Sequence, residues 1–405
     1  MRPGLLFYCQ HSLGLGHLAR SLRIAAGLAQ RFDVLLLNGG RFPDGTAVPA
    51  GVEVVNLPPL GHDADYRLVS HHPELSVEQA RKGRRRMLLD ILDETSPAVV
   101  IVEMYPFGRK KFEFELIPLL DAIRTGGPGR PTVVCSLRDI LVNQRTDQSG
   151  YDERVCRRAN RYFDAVLVHA DPAFARLEDS FRPRTPLAVP VHYTGFVAPP
   201  PGAALSAGPA LDRLLVSSGG GMVGEPLVRA AVEAHAAVYQ RTGLSTTVVA
   251  GPFLPDSVWT WLQARAESAP QLEAVRRVDD LCLAMGRSKV SLSQGGYNTT
   301  MDILRAATPA VVVPFSEGAE DEQRRRTQRL QALGLVRLLP PEQLSTESLV
   351  AAIIGATSAL RPTVALDLDG AAATADLVAG LAGIDHPPRS WTCDQFSGRN
   401  RVTAP

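Results

Sequence analysis

The sequence has little excess charge, few aromatic residues and no apolar run long enough to cross a membrane. Its 43 Lys and Arg residues nearly balance 42 Asp and Glu residues, so the formal net charge is +1, and aromatic residues make up 6% of the chain. A nearly neutral chain creates no overall field that attracts nucleic acid. No segment reaches the roughly 18 unbroken apolar residues of a membrane helix. We therefore expect partners to bind at local sites, with no nucleic acid among them.

The cysteine spacing and the first residues also argue against two classes of protein. The 5 cysteines are scattered and never spaced as C-x-x-C; they are Cys9, Cys135, Cys156, Cys282 and Cys393. This spacing argues against a disulfide framework and against a zinc knuckle. The start "MRPGLLFYCQ" holds an apolar run that is too short for the core of a signal peptide. These features predict a cytoplasmic protein.

The order of apolar runs indicates two domains. A chain of 405 residues exceeds what one hydrophobic core usually covers. Continuous apolar runs such as "GLLFYC" and "AVVIVEMYP" alternate with helix-length segments, as buried parallel strands do in doubly wound α/β proteins. The same rhythm restarts after a stretch rich in Pro, Gly and Ala. We predict an α/β fold with two Rossmann-like doubly wound domains facing across a cleft: residues 1–198, a linker at 199–210, residues 211–385, and a tail at 386–405.

A glycine turn follows the first predicted strand. In "HSLGLGHLARSL", Gly14 and Gly16 stand before a helix, where the backbone can approach a ligand closely. The spacing also fits a dinucleotide fingerprint, but the second strand ends in Asn38 instead of the acid that holds a ribose, which makes NAD the weakest interpretation. His17, in the first turn of the helix, either accepts a proton near neutral pH or is a packed histidine.

A second glycine turn lies at "VSSGGGM". Ser218, Gly219 and Gly220 come between a strand and a helix, where a hydroxyl and free N–H groups suit an anionic oxygen. A flexible turn without a ligand is the alternative interpretation.

The segment 290–323 carries the densest pattern. After the strand "VSLSQ" come Gln294, Gly295 and Gly296, and then Asn298 and Thr299 open a helix whose N–H groups suit a diphosphate. We place Asp302 in the first turn of this helix, where it would accept hydrogen bonds from a ribose; a dipole-compensating acid would look similar. After the strand "PAVVVPF", Glu322 and Gln323 could bind sugar hydroxyls, although Glu322 alone would suit a solvated helix start. Together the parts favour a nucleotide-sugar site.

Three further segments have the composition of sites but favour other interpretations. "LDLDG", with Asp367 and Asp369, is interpreted as the start of a helix. "GHDADYRLVSHHP" has metal-capable side chains without a known ligand spacing, so we interpret it as a surface loop or acceptor-side lip and predict no metal site. "RKGRRRM" is typical of a solvated helix face, with peripheral membrane contact as the alternative.

The paired domains and the segment 290–323 resemble the GT-B glycosyltransferases of family 28, which includes the N-acetylglucosaminyltransferase of the peptidoglycan lipid precursor. The sequence is most similar to a group of predicted bacterial glycosyltransferases in "SQGGYNTTMDIL", "EDEQRRRTQRLQALGL", "VEMYPFGRKKFEFEL" and "VCSLRDIL". The resemblance implies that the C-terminal domain binds the donor nucleotide through Ser218, Gly219, Gly295, Gly296, Asn298, Thr299 and Asp302. It implies that Glu322 and Gln323 hold the donor sugar, and that the N-terminal glycine loop faces the diphosphate and the acceptor.

The mechanism implied is an inverting transfer without metal or cofactor. The donor is a nucleotide-sugar, and a UDP-sugar is favoured over a dTDP-sugar. The acceptor is a hydroxyl or amine of a small-molecule or lipid-linked compound. The reaction would belong to antibiotic or cell-envelope biosynthesis. His17 is the first candidate for the general base and Glu103, at the end of a strand, is the second. Arg109, Arg138 and Asp139 are expected to shape the acceptor pocket. A nucleotide-sugar 2-epimerase or a non-catalytic binding subunit stays open, as does a homodimer.

Overall fold

The computed structural model describes residues 2–11, 16–43, 45–63, 67–142, 145–201, 211–315 and 321–384. Gly14, residues 202–210 of the predicted linker and the predicted tail at 386–405 lie outside these ranges. The strands are β1 Gly4–Cys9, β2 Asp33–Asn38, β3 Val52–Asn56, β4 Leu60–His62, β5 Leu68–Ser70, β6 Val99–Glu103, β7 Thr132–Arg138, β8 Ala165–His169, β9 Val191–Tyr193, β10 Leu211–Ser217, β11 Ser245–Val249, β12 Leu272–Val275, β13 Ser288–Ser293, β14 Ala310–Val312 and β15 Arg337–Leu338. The α-helices are α1 Gly16–Leu28, α2 Val77–Thr95, α3 Glu113–Thr125, α4 Gln148–Tyr162, α5 Glu225–Thr242, α6 Asp256–Ser268, α7 Leu281–Gly286, α8 Tyr297–Ala306, α9 Glu322–Ala332, α10 Thr346–Thr357 and α11 Gly370–Leu381.

Two parallel sheets form the framework, as predicted. The first has the strand order β3-β2-β1-β6-β7-β8-β9 and the second β12-β11-β10-β13-β14-β15. Central strands such as β6, "VVIVE", are buried at every position, which explains their unbroken apolar sequence, because helices cover both faces. Each sheet reverses its strand order once, between β1 and β6 and between β10 and β13. Ligands of such sheets bind beyond the carboxyl ends of the strands at these switch points.

The last helix packs on the first sheet instead of the second. The sequence assigns residues 211–385 to one C-terminal domain, but Ala375, Val378 and Ala379 of α11 belong to the apolar core around β1 and α1. Gly27 of α1 allows the close approach, because a Cβ there would lie 2.5 Å from the carbonyl oxygen of Ala371. The segment before α11 also joins the first domain: the N–H group of Phe196 donates to the Asp367 carbonyl (2.8 Å). Asp369 immediately precedes α11, as the helix-start interpretation predicts.

The basic run "RKGRRRM" is only partly a solvated face, which corrects the interpretation from sequence. It lies on α2, where Arg81 and Lys82 pair with Glu78 in the same helix. Arg84 is completely buried and donates to both carboxylate oxygens of Glu115, at 2.5 and 2.7 Å. This arginine therefore holds α2 and α3 together and faces neither water nor a membrane. Within the described ranges, no helix has the length and apolar character needed to cross a membrane.

Candidate functional site

The described residues at the two switch points approach each other between the domains. Gly16 begins α1 after β1, and Glu103 ends β6 in the first sheet. In the second sheet, Ser217 ends β10 and Gly296 precedes α8 after β13. One hydrogen bond connects the two domains here: the Asn298 amide donates to the Gly16 carbonyl across the cleft (2.9 Å). Within the second domain, a Cβ on Gly219 would lie 3.3 Å from the Thr299 hydroxyl.

His17 and Glu103, the two predicted candidates for the base, form a pair. The Nδ1 atom of His17 lies 2.6 Å from Oε1 of Glu103. Because an ionised carboxylate can only accept, Nδ1 carries the proton and Nε2 is left as the acceptor. The Glu103 side chain is fully buried, whereas His17 is 23% exposed. The imidazole is therefore held by Glu103 at Nδ1 and can receive a proton at Nε2.

The charges around this pair keep it in the state that a base requires. Burial lowers the pKa of His17 and Arg109 lowers it further, while Glu103 raises it in part. Burial would raise the pKa of Glu103, but His17, Arg109 and Arg20 outweigh that effect and lower it. Arg109 lies 3.3 Å from Oε2 of Glu103, and Arg20 donates to Oε1. At neutral pH the imidazole is thus neutral and the carboxylate ionised.

The N-terminus of α8, where the sequence predicts an anion site, is open. Gly296 is its N-cap residue, and no side chain caps the helix. The first N–H groups of a helix have no partner within it and carry the positive end of its dipole. A Cβ on Gly296 would meet no atom within 4 Å, whereas one on Gly295 would lie 2.6 Å from the Thr327 hydroxyl. Gly295 thus allows helix α9 to pack, and Gly296 leaves the helix end open.

Two predicted ligand groups instead support the loops. The Ser218 hydroxyl donates to the Ala250 carbonyl, and the Gln294 amide donates to the Val223 carbonyl (2.8 Å). Both side chains are buried. These bonds fix the shape of the turn at Gly219 and Gly220, so only backbone atoms of this turn are left to approach a phosphate.

Asp302 differs from the sequence prediction in position and in partner. Helix α8 begins at Tyr297, which puts Asp302 in its second turn and not its first. The carboxylate is 7% exposed and lies 3.0 Å from Nη2 of Arg23 in α1. Burial raises its pKa to about 6, although Arg23 lowers it. A ribose would have to share or replace this arginine.

The predicted sugar-binding and acceptor residues already have partners within the protein. Arg138 donates to Oε1 of Glu322 (2.8 Å). Asp139 accepts two bonds from Arg326, at 2.6 and 2.7 Å, and both side chains are completely buried. Asp139 therefore holds the domains together and does not line an acceptor pocket. The Gln323 side chain accepts from the Phe315 N–H group (3.1 Å), so its carbonyl oxygen is already used.

Four residues at the site were missed in the sequence. Arg20, Arg23, Tyr297 and Arg326 each contact a residue across the cleft. The sequence pattern could have indicated only Arg20, because it follows His17 by three positions and so lies on the same face of the helix. The other three act on residues far away in the chain, which no local pattern connects.

A metal ion requires a particular arrangement of acidic, histidine and cysteine side chains. Within the described ranges, no group of three or more His, Cys, Asp or Glu side chains could hold a metal ion. In the predicted lip, Asp63 caps the short β4–β5 turn by accepting from the N–H group of Arg67 (2.7 Å). Asp65, named with it from the sequence, lies outside the described residues.

Comparison with known proteins identifies the C-terminal half. Residues 229–359 match the glycosyltransferase family 28 C-terminal domain. A UDP-N-acetylglucosamine--N-acetylmuramyl-(pentapeptide) pyrophosphoryl-undecaprenol N-acetylglucosamine transferase of Chromohalobacter salexigens is 31% identical over 84 residues, which is 21% of this chain and 23% of that protein. The chain thus spans about a quarter of the length of this curated relative.

Solved structures resemble the whole chain in fold. The calicheamicin glycosyltransferase CalG4 has a TM-score of 0.56 at 19% identity and covers 95% of this chain and 94% of its own. The spinosyn rhamnosyltransferase SpnG, complexed with thymidine diphosphate, has a TM-score of 0.55 at 17% identity and covers 95% and 96%. At these identities the likeness shows the fold alone. The chain is thus similar to family 28 glycosyltransferases over residues 229–359 and has the GT-B fold.

Proposed function

We propose that this protein is an inverting glycosyltransferase that moves a sugar from a nucleoside-diphosphate sugar to a hydroxyl or amine. The observation that carries the proposal is the His17–Glu103 pair, placed at one switch point opposite the open N-terminus of α8 at the other. A base and an anion site that face each other across a cleft suit a single displacement at an anomeric carbon. The family 28 match in the C-terminal half supports the donor class.

In the proposed step, the acceptor hydroxyl or amine attacks the anomeric carbon while His17 Nε2 takes its proton. Glu103 keeps the proton of Nδ1 in place and stabilises the imidazolium that forms. The bond from the anomeric carbon to the diphosphate oxygen breaks, and the nucleoside diphosphate leaves with the electron pair. The N–H groups of α8 stabilise that negative charge as it develops. Attack opposite the leaving group inverts the configuration.

Spare donors in the cleft favour an anionic ligand. Among the described residues, Arg23 Nη1, Arg109 Nε and Arg138 Nε are buried without a hydrogen-bond partner. Buried polar groups are nearly always satisfied in folded proteins. A diphosphate or another anionic group would supply the acceptors, and these cations would neutralise it without requiring a metal ion.

The donor base and the acceptor are part of the same proposal. One relative is named for UDP-N-acetylglucosamine and one structural neighbour holds thymidine diphosphate, so we favour a UDP-sugar and keep a dTDP-sugar second. The acceptor is a small-molecule or lipid-linked compound, in specialised-metabolite or envelope biosynthesis in the cytoplasm.

Calorimetry with UDP, dTDP, GDP and NAD tests the donor site, with Asp302→Ala as the variant. We expect one diphosphate nucleotide to bind to the wild type and to bind at least about tenfold more weakly to the variant, since a ribose contact of about 1.4 kcal/mol is lost. Incubation of a UDP-sugar panel without acceptor then separates transfer from epimerisation, because only an epimerase changes the sugar alone. Binding of NAD without any diphosphate nucleotide would overturn the proposal.

A further inference from the structure

Tyr297 lies where the donor site meets the proposed base. It is the first residue of α8, and its side chain crosses into the first domain. Its hydroxyl donates to the His169 carbonyl at the end of β8 (3.0 Å) and accepts from the N–H group of Val197 (3.1 Å). The residue is only 7% exposed. Both bonds join the C-terminal domain to backbone groups of the N-terminal domain, so the position of the ring depends on the docking of the two domains.

Two arginines lie over the ring of Tyr297. The guanidinium carbon of Arg20 is 5.2 Å from the ring centroid and that of Arg326 is 5.6 Å from it. Arg326 is fixed by Asp139, whereas Arg20 reaches Glu103. Attraction between a cation and an aromatic face is strongest when the pair is shielded from water, and Arg20 is 2% exposed. The ring therefore restricts the position of the Arg20 guanidinium group.

Arg20 and His17 share one oxygen atom of Glu103. Both donate to Oε1 of Glu103, and Nη2 of Arg20 lies 3.5 Å from Nδ1 of His17. The Nε atom of Arg20 is buried without a partner, so this side chain could form a second bond to a carboxylate. A two-bond arginine–carboxylate pair is the stronger arrangement. If the ring did not hold Arg20 in place, it could turn onto Glu103 and displace His17.

We propose that Tyr297 is a positioning residue: by holding Arg20 in place, it keeps His17 bonded to Glu103 while the C-terminal domain is docked. This inference rests on the proposed function, because it makes the base competent only when the donor-binding domain is closed. The base would then be misaligned in an open enzyme. Closure would align it and exclude water in the same motion, which limits loss of the donor by hydrolysis.

The first test uses kinetics of the full chain with Tyr297→Leu and Tyr297→Phe. Loss of the ring in Tyr297→Leu is expected to lower kcat about 100-fold, the size of effect that a misplacement of about 1 Å produces, with KM for the donor within about twofold. Tyr297→Phe retains the ring but loses both hydrogen bonds to the N-terminal domain, and it is expected to lower kcat much less than Tyr297→Leu. Arg329→Met is the matched control, because Arg329 also joins the domains, through Asp179 and the Phe174 carbonyl, away from the pair. An equal loss of kcat in Arg329→Met would overturn the inference.

The second test requires no activity. In protein labelled with 15N-histidine, the His17 signals, assigned by their absence in His17→Gln, report which ring nitrogen carries the proton. We expect a single Nδ1–H form in the wild type and in Tyr297→Phe, and a mixture of both forms in Tyr297→Leu. A single Nδ1–H form in Tyr297→Leu would contradict the inference even if the protein transferred no sugar. A wild type without transferase activity but with the expected signals would instead contradict only the proposed function.

Discussion

At the scale of single residues, His17 and Glu103 have separate roles in the proposed transfer. His17→Ala removes the group that accepts the proton, and we expect kcat to fall by about 10²–10⁴-fold, the usual contribution of a general base. The Kd of the donor nucleotide should be unchanged, because His17 is not among the residues proposed to bind the nucleotide. Steady-state kinetics combined with calorimetry measures both quantities.

His192→Ala is the matched control for that change. His192 lies on the edge strand β9 and has no role in the proposed step, so its loss should leave kcat within about twofold. Glu103→Gln keeps the shape of the side chain but removes the charge that stabilises the imidazolium, and it should lower kcat less than His17→Ala. A His17→Ala variant with the activity of the wild type would exclude His17 as the base.

Asp302 makes stability depend on pH. Its pKa in the folded protein is about 6, above the ordinary value of 3.8, so the folded state binds this proton more tightly than the unfolded state. The resulting stabilisation is fully present below about pH 3.8 and is lost as pH rises through about 6. It amounts to roughly 3 kcal/mol. Urea unfolding at pH 4 and pH 7 should show a lower free energy of unfolding at pH 7 in the wild type and no such loss in Asp302→Asn. The same change in the free energy of unfolding between the two pH values in both proteins would contradict the assignment.

At the scale of elements, the turn before α8 contains two glycines with different roles. Gly296→Ala adds a methyl group where no protein atom lies within 4 Å, so we expect the melting temperature to change by less than about 2 °C while the nucleotide binds at least tenfold more weakly. Gly295→Ala places its methyl group against Thr327 and should lower stability by about 1–3 kcal/mol. Thermal unfolding and calorimetry separate the two effects.

Gly380→Ala serves as the control for the glycine changes. It also meets no atom within 4 Å and lies in α11, away from the cleft, so it should affect neither binding nor folding by more than the small gain in helix propensity. Unchanged nucleotide binding in Gly296→Ala would exclude this helix end as the diphosphate site.

The central elements were predictable from sequence because burial on both faces marks them. Strands such as β6 and β8 are continuous apolar runs, and the glycine turns that follow β1, β10 and β13 mark the switch points. The edge strands β9 and β15 were missed since two or three residues carry no pattern. The apolar face of α11 predicts that it is buried, but not which sheet covers it.

The contacts across the cleft were beyond any local pattern. Asp139 and Arg326 are 187 positions apart in the chain, and each alone fits a surface residue. Arg138 and Glu322 were both named from the sequence, yet nothing in it shows that they contact each other. The residue types at the site were therefore predictable, whereas their partners depend on how the domains dock.

At the scale of the whole molecule, the buried pair Asp139–Arg326 connects the two domains. Asp139→Leu leaves an unpaired buried charge, as does Arg326→Met, and each should lower the free energy of unfolding by about 3–5 kcal/mol. The double variant should lose less than either single one, because it leaves no unpaired charge. Chemical denaturation of the four proteins measures this coupling, and strictly additive losses would show that the pair is not the connection.

The packing of α11 on the first sheet means that the chain passes between the domains twice. Two connecting segments restrict the relative motion of the domains, so that we expect rotation about one axis and no free twisting. Neither half is self-contained: a fragment ending at residue 201 would expose the apolar side of α1, and the complementary fragment would carry α11 uncovered. Produced separately, the two fragments should aggregate. When they are co-expressed, α11 should pack on the first sheet, and the two fragments should form a complex.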